Sequence, residues 1–157
     1  MRQTEVIGKS NDEVQNLVTW PPLDELQNQL LKEPAKTFQL SRVDFMTGWH
    51  FGCLRFGFKN ARMTPKFGDY YQIKSSVSLR EAEITKITVL TCNKYPIGLV
   101  FSYADGETQE IKADYSENDG PVVPFELPVQ PGEFIAGVTV ESDANVPTRI
   151  GFTLLKI

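Results

Sequence analysis

Ile150-Gly151-Phe152-Thr153-Leu154 is the third writing of one pattern, after Leu54-Arg55-Phe56-Gly57-Phe58 and Leu99-Val100-Phe101-Ser102-Tyr103. Each stretch has an aliphatic residue, Phe two positions on, and another apolar residue two further. Side chains two apart leave the same face of a strand, so every copy presents one apolar face. The copies begin 45 and then 51 residues apart, the spacing of a repeated multi-stranded unit. The pattern predicts an all-β body with pseudo-threefold symmetry. In it Phe56, Phe101 and Phe152 are equivalent and buried, together with Leu54, Leu99 and Ile150.

Outward from these stretches the chain alternates strands and turns. Val43–Phe45 and His50–Phe58 read as strands broken near Gly48. Thr85, Ile87 and Val89 alternate with Lys86 and Thr88, and Ile97–Tyr103 ends at Asp105-Gly106, a tight-turn signal that lets Thr108–Ala113 return as a hairpin partner. Val123, Phe125, Leu127 and Val129 are interrupted by Pro124 and Pro128, which restrict that piece to an edge or bulged strand. Phe134–Val140 and Arg149–Ile157 close the chain. A length of 157 residues, 41% of them hydrophobic, suits one domain with a single core.

The first forty residues read differently. Val14, Leu17 and Val18 form one short helical stripe, and Leu23, Leu26, Leu30 and Leu31 a second. Asn11–Leu17 is expected as a weak helix and Pro22–Glu33 as a better one. Pro22 suits a first turn, Asp24 and Glu25 favour the positive helix end, and Pro34 is the stop. Residues 1–40 are therefore expected as an N-terminal helical arm and 41–157 as the β domain. Trp20, Leu23, Leu26, Leu30 and Leu31 would then form a docking surface for other protein subunits. On that reading Leu26→Asp with Leu30→Asp would release a partner and leave the β body folded.

Gly132-Glu133-Phe134-Ile135-Ala136-Gly137-Val138, followed by Arg149 and Ile150–Leu154, resembles the closing hairpin of jacalin-like lectin domains, a "G-x-I-x-G" strand and a terminal "I-G-hydrophobic" strand. Leu54–Gly68, with Lys59-Asn60 and Pro65-Lys66-Phe67-Gly68, is similar to that family's "L-x-F-x-x-N … G-P-F-G" stretch. Ile84–Gly106 resembles its "I-x-x-I-x-V … I-x-x-L-x-F-x-Y-x-x-G" hairpin. The resemblance covers residues 43–157 and implies a β-prism, three four-stranded antiparallel sheets about a pseudo-threefold axis. It also implies a sugar site in the loop before the last strand, marked in sugar-binding members by Gly-x-x-x-Asp. Aligned on Ile150-Gly151, the signature positions here are Ala144 and Thr148, so neither the Gly nor the Asp is present. Asp143 and Asn145, one residue off register, and the Thr148 hydroxyl are the candidate carbohydrate contacts, with Asn93 and Tyr95 from the neighbouring loop. The missing signature favours a non-catalytic scaffold or structural subunit; the alternative is a carbohydrate-binding lectin.

Catalytic chemistry is poorly supplied. The one His, His50, lies in a strand-like run between Trp49 and Phe51, and no nucleophile elbow, phosphate loop or Cys/His metal spacing occurs. Cys53 and Cys92 fall inside strands and read as buried, reduced thiols. Glu81 with Glu83, and Asp105 with Glu107, only share solvated strand faces. No enzyme activity, cofactor or metal centre is expected, although the acidic stretch 114–120 leaves calcium open. Trp49, Phe51, Phe67, Tyr70 and Tyr71 read first as packing aromatics and second as a sugar platform. A net charge of −4 with 16 scattered basic residues builds no cationic stripe, so nucleic acid is not an expected partner. Met1–Glu5 lacks a signal-peptide stretch and no run is long enough to span a membrane, so an intracellular, cytoplasmic protein is expected.

Overall fold

The structure is a computed structural model and describes residues 1–9, 17–48, 50–68, 71–113, 120–143 and 145–156. In chain order its elements are β1 (Arg2–Gln3), β2 (Ile7–Gly8), β3 (Leu17–Trp20), helix α1 (Leu23–Leu30), a 3-10 turn (Ala35–Phe38), β4 (Leu40–Thr47), β5 (Phe51–Phe58), β6 (Ser75–Ser78), β7 (Ile84–Cys92), β8 (Tyr95–Tyr103), β9 (Thr108–Lys112), β10 (Val122–Pro128), β11 (Glu133–Ser142) and β12 (Pro147–Lys156). They form three antiparallel sheets, ordered β5-β4-β6, β10-β7-β8-β9 and β1-β12-β11-β3, with β2 also on β12. No helix among the described residues is long and apolar enough to cross a membrane.

Each sheet is built on one long hairpin, and the three hairpins are copies. In β4–β5, Phe56 stands opposite Val43 and Leu54 opposite Phe45. In β7–β8, Phe101 faces Ile87 and Leu99 faces Val89. In β11–β12, Phe152 faces Val138 and Ile150 faces Val140. The register slips at the same two places in all three: at Leu40/Arg42, Ile84/Lys86 and Ile135/Gly137, and again near the turn at Met46/Thr47, Leu90/Thr91 and Glu141/Ser142. An extra unpaired residue bends and twists a strand. Repeated bulges at matched offsets therefore give the three hairpins one curvature around one core. Phe56, Phe101, Leu54, Leu99 and Ile150 are 0% exposed and Phe152 is 1% exposed, as the period-two pattern requires. The Phe56 and Phe152 rings meet edge to face, centroids 6.5 Å apart.

The sheets hold five, four and three strands rather than four each. Beside β5 the fourth strand is broken into isolated bridges, Leu54 with Phe67 and Gly57 with Met63. Pro65 has no amide hydrogen to donate there, which interrupts a continuous ladder.

The larger correction concerns the N-terminal helical arm. Arg2 pairs with Leu154, Ile7 with Ile150 and Val18 with Val140, so residues 1–20 supply strands to the third sheet. Without them β12 and β11 would present long apolar edges, an association hazard. Gly151 shows how tightly the segment fits: a Cβ there would meet the Glu5 carbonyl at 2.8 Å. The helix expected over 11–17 lies outside the described residues except for Leu17, which is in β3. Helix α1 does follow Pro22, with Asp24 and Glu25 in its first turn, but it ends at Leu30. Its leucine stripe is spent within the chain. Leu26 is 0% exposed against Phe38, Phe134, Ala136 and Leu155, and Leu30 packs on the same cluster. Leu23 is half-buried, and Trp20 stacks on Phe58 at 5.4 Å. Only Leu31 of the expected docking residues is open, at 86% exposure.

A half-buried clamp fixes the first strand. Arg2 grips Glu133 through two bonds of 2.6 and 3.1 Å and donates to the Pro128 carbonyl at 3.0 Å. The Arg2 hydrogen bond holds the Glu133 carboxyl below its ordinary range, against the opposing push of burial. A lowered folded-state value adds stability that is present above the ordinary carboxylate range and is lost as pH falls through the lowered value. Glu133→Gln should thus destabilise the fold by about 1–2 kcal/mol at neutral pH. The gap to the parent should close in acid. Urea denaturation across pH checks this; equal stability at neutral pH would show that the clamp contributes nothing.

Candidate functional site

The β4–β5, β7–β8 and β11–β12 hairpins turn at equivalent places, and described residues beside those turns meet at one end of the body. Asn93 and Lys94 have φ of 51° and 71°, the two positive values that a two-residue hairpin turn needs. The third turn is organised by Asp143. Its Oδ1 accepts the Asn145 and Val146 amides at 2.7 and 2.8 Å, while its own amide donates to the Val146 carbonyl at 3.1 Å. An Asp side chain that bonds amides two and three residues on stabilises such a turn.

Several contacts join the turns. The His50 ring stacks on Tyr95, centroids 5.4 Å apart and planes 20° apart. These residues hold equivalent places, each two residues before the skipped bulge residue of its strand, Gly52 and Ile97. Lys9 bridges from the other side: its amide donates to the Thr148 carbonyl at 2.9 Å, and its ammonium lies 3.3 Å from the Tyr95 hydroxyl and 5.0 Å from the ring centroid. Gly68, at φ 92°, brings the loop after β5 against the third turn, where a Cβ would meet the Gly52 carbonyl at 2.6 Å and that of Asn145 at 3.1 Å. No L side chain fits that position.

Of the residues expected to touch a saccharide, Asp143, Asn145 and Tyr95 are brought to this one surface, with Asn145 exposed. Asn93 is at the same end, its side-chain oxygen beside Gly120. Thr148 is not presented. It is the unpaired bulge residue of β12, equivalent to Gly52 and Ile97, and it is 2% exposed. Its hydroxyl donates to the Glu141 carbonyl at 3.1 Å. Proximity in sequence placed it in the loop, and the bulge turns it inward.

Phe51 and Phe67 are core residues, as their packing reading requires, and Tyr71 is half-buried. Trp49, Tyr70, Ala144 and residues 114–119 of the acidic stretch lie outside the described residues. Cys53 and Cys92 are buried thiols. Burial pushes the Cys53 thiol up, away from the thiolate character that makes a cysteine reactive. Sequence reasoning missed Lys9 and the part played by His50. Both depend on pairings across the whole chain that leave no local signal.

No protein-family model matches the chain, and no curated protein matches it by sequence. Solved structures do match. A lamprey immune protein superposes with a TM-score of 0.64 at 13% identity, covering 98% of this chain, which spans 44% of that protein's length. A mannose-binding lectin from Champedak gives a TM-score of 0.64 at 14% identity, over 98% of this chain and 96% of the lectin. Calystegia sepium agglutinin gives 0.62 at 13% identity, over 100% and 99%. At these identities what is shared is architecture, and the threefold hairpins account for it: the chain has the β-prism fold of the jacalin-like lectins.

Proposed function

We propose that this protein is a non-catalytic carbohydrate-binding module whose saccharide site is the turn end of the prism. One observation supports the reading above the rest: an aromatic pair, His50 on Tyr95, is capped by the ammonium of Lys9, whose amide is bonded to Thr148 of the third hairpin. A saccharide needs an apolar face to stack on and a few fixed donors and acceptors around it. Tyr95 and His50 supply the face, Lys9 and Asn145 supply donors, and Asp143 supplies an acceptor. Because Oδ1 of Asp143 orders the loop, Oδ2 is the oxygen this reading assigns to a sugar hydroxyl. The loop thus replaces Gly-x-x-x-Asp with an Asp five residues earlier than the expected one. The mannose-binding lectin among the structural neighbours makes methyl α-mannoside the first probe.

A scaffold role loses its expected docking stripe, since Leu26 and Leu30 pack on the protein's own Phe134 and Leu155. The test is a glycan-array screen of the full chain, followed by titration of Tyr95→Ala with Asn145→Ala. The expected result is binding by the parent, weakened about tenfold or more in the double variant with the fold intact. Silence across the array, or a double variant that binds like the parent, would remove the reading.

A further inference from the structure

The opposite end of the prism, seven residues back along β4 and so roughly 20 Å from the turns, carries an open cleft of about 430 Å³. Four cations line it, Arg42, Lys59, Arg62 and Arg80, with the single carboxylate of Glu81. That is an unusual concentration in a chain of net charge −4. Arg80 is fully engaged, bonded to Asp105 at 2.6 Å and lying over the Tyr103 ring. Lys59 and Arg62 are not matched so well. Arg62 reaches Glu33 only at 3.7 Å, and Lys59 reaches Glu81 only at 3.6 Å. Both distances exceed a hydrogen bond. Arg42 is paired with Asp44, Nε to Oδ1 at 3.0 Å, a carboxylate that also takes Arg55 and Ser76, and its Nη2 lies against the Met63 sulfur at 3.1 Å, a weak acceptor.

The rim that carries Lys59 and Arg62 is a closed turn. The Ala61 amide donates to the Phe58 carbonyl at 3.0 Å, and Asn60 accepts the Arg62 amide at 3.1 Å. The cleft therefore holds under-used N–H donors on a fixed frame. It also continues into a second cavity of about 480 Å³ that shares Leu40, Lys59 and Glu81 with it and has the equivalent residues Leu40, Ile84 and Ile135 in its lining.

We propose that this cleft is a second ligand site, taking the carboxylate or sulfate group of an acidic saccharide. Planar guanidinium groups match such oxyanions in pairs of parallel bonds, and Lys59 adds a point charge. The adjoining cavity accommodates the rest of the sugar. The saccharide part of this assignment rests on the carbohydrate reading above, while the oxyanion part rests on the cleft alone.

Titration of the full chain with a heparin-derived hexasaccharide, an oligogalacturonate and neutral maltohexaose tests it. The expected result is binding of the acidic probes at about 50 mM salt, weakening as salt rises, with no binding of the neutral one in the cleft. A preference for heparin assigns sulfate, and equal binding of oligogalacturonate assigns carboxylate. Lys59→Gln with Arg62→Gln should cut acidic-probe affinity about tenfold or more while the β fold, read by circular dichroism, is retained. Tyr95→Ala with Asn145→Ala should leave acidic-probe affinity unaltered. No acidic binding at low salt, or full affinity in the Lys59/Arg62 variant, would overturn the site. Acidic binding lost only in the Tyr95/Asn145 variant would overturn the cleft and leave the turn-end reading standing. Acidic binding lost in the Lys59/Arg62 variant, with no neutral saccharide held at the turns, would do the reverse.

Discussion

Phe152→Ala will lower unfolding stability by about 3–5 kcal/mol, the range for deleting a fully buried Phe. For a chain of this size that is a fall in melting temperature of roughly 6–20 °C. The ring is 1% exposed and meets Phe56 edge to face, so its removal leaves a void that the bulged hairpins around it cannot collapse into. Because Phe56, Phe101 and Phe152 hold the same place in three copies, Phe56→Ala and Phe101→Ala should fall in the same range. Phe56→Ala with Phe152→Ala should cost less than the two singles added together, since the rings touch. Urea denaturation of the set measures all of this. A stability unchanged at any one of the three positions would break the threefold equivalence.

Leu26→Asp is the second large effect, about 4 kcal/mol or more. It removes a 0% exposed leucine and places a carboxylate among Phe38, Phe134, Ala136 and Leu155. Helix α1 is thereby part of the folding unit, and the expectation that Leu26→Asp with Leu30→Asp would spare the β body is reversed. Leu31→Asp is the internal control. At 86% exposure it should stay within about 0.5 kcal/mol of the parent. The three variants compared by chemical denaturation decide the point, and a neutral Leu26→Asp would mean that α1 does not pack on β11 and β12.

Phe56, Phe101 and Phe152 were legible because a period of two is a local signal, and their burial follows from it directly. The bulges were not. Gly52, Ile97 and Thr148 read like any strand residue, and only the pairing of each strand with its neighbour shows that they are skipped. Thr148 was therefore taken for a surface hydroxyl. The N-terminal strands were hidden for a related reason. Arg2–Gln3 and Ile7–Gly8 are too short to show any periodicity, and their partners on β12 lie at the far end of the chain. Leu17-Val18-Thr19-Trp20 is a short apolar run of the kind that spacing cannot sort between helix and strand. Its β-branched pair was the available cue.

The candidate site divides along the same line. Asp143 and Asn145 stand out as turn residues, and Tyr95 as a hairpin-flanking aromatic. Lys9 reaches Tyr95 only because β2 pairs with β12, and His50 reaches it only because two hairpins from different sheets end at one vertex.

The most direct measurement of the central claim is an amide NMR titration of the full chain with methyl α-mannoside and a set of neutral hexoses. The account predicts shifts concentrated at Lys9, His50, Tyr95, Asp143, Asn145 and Val146, with the Lys59–Arg62 turn unmoved. Shifts confined to other surfaces, or no shift with any saccharide, would contradict it.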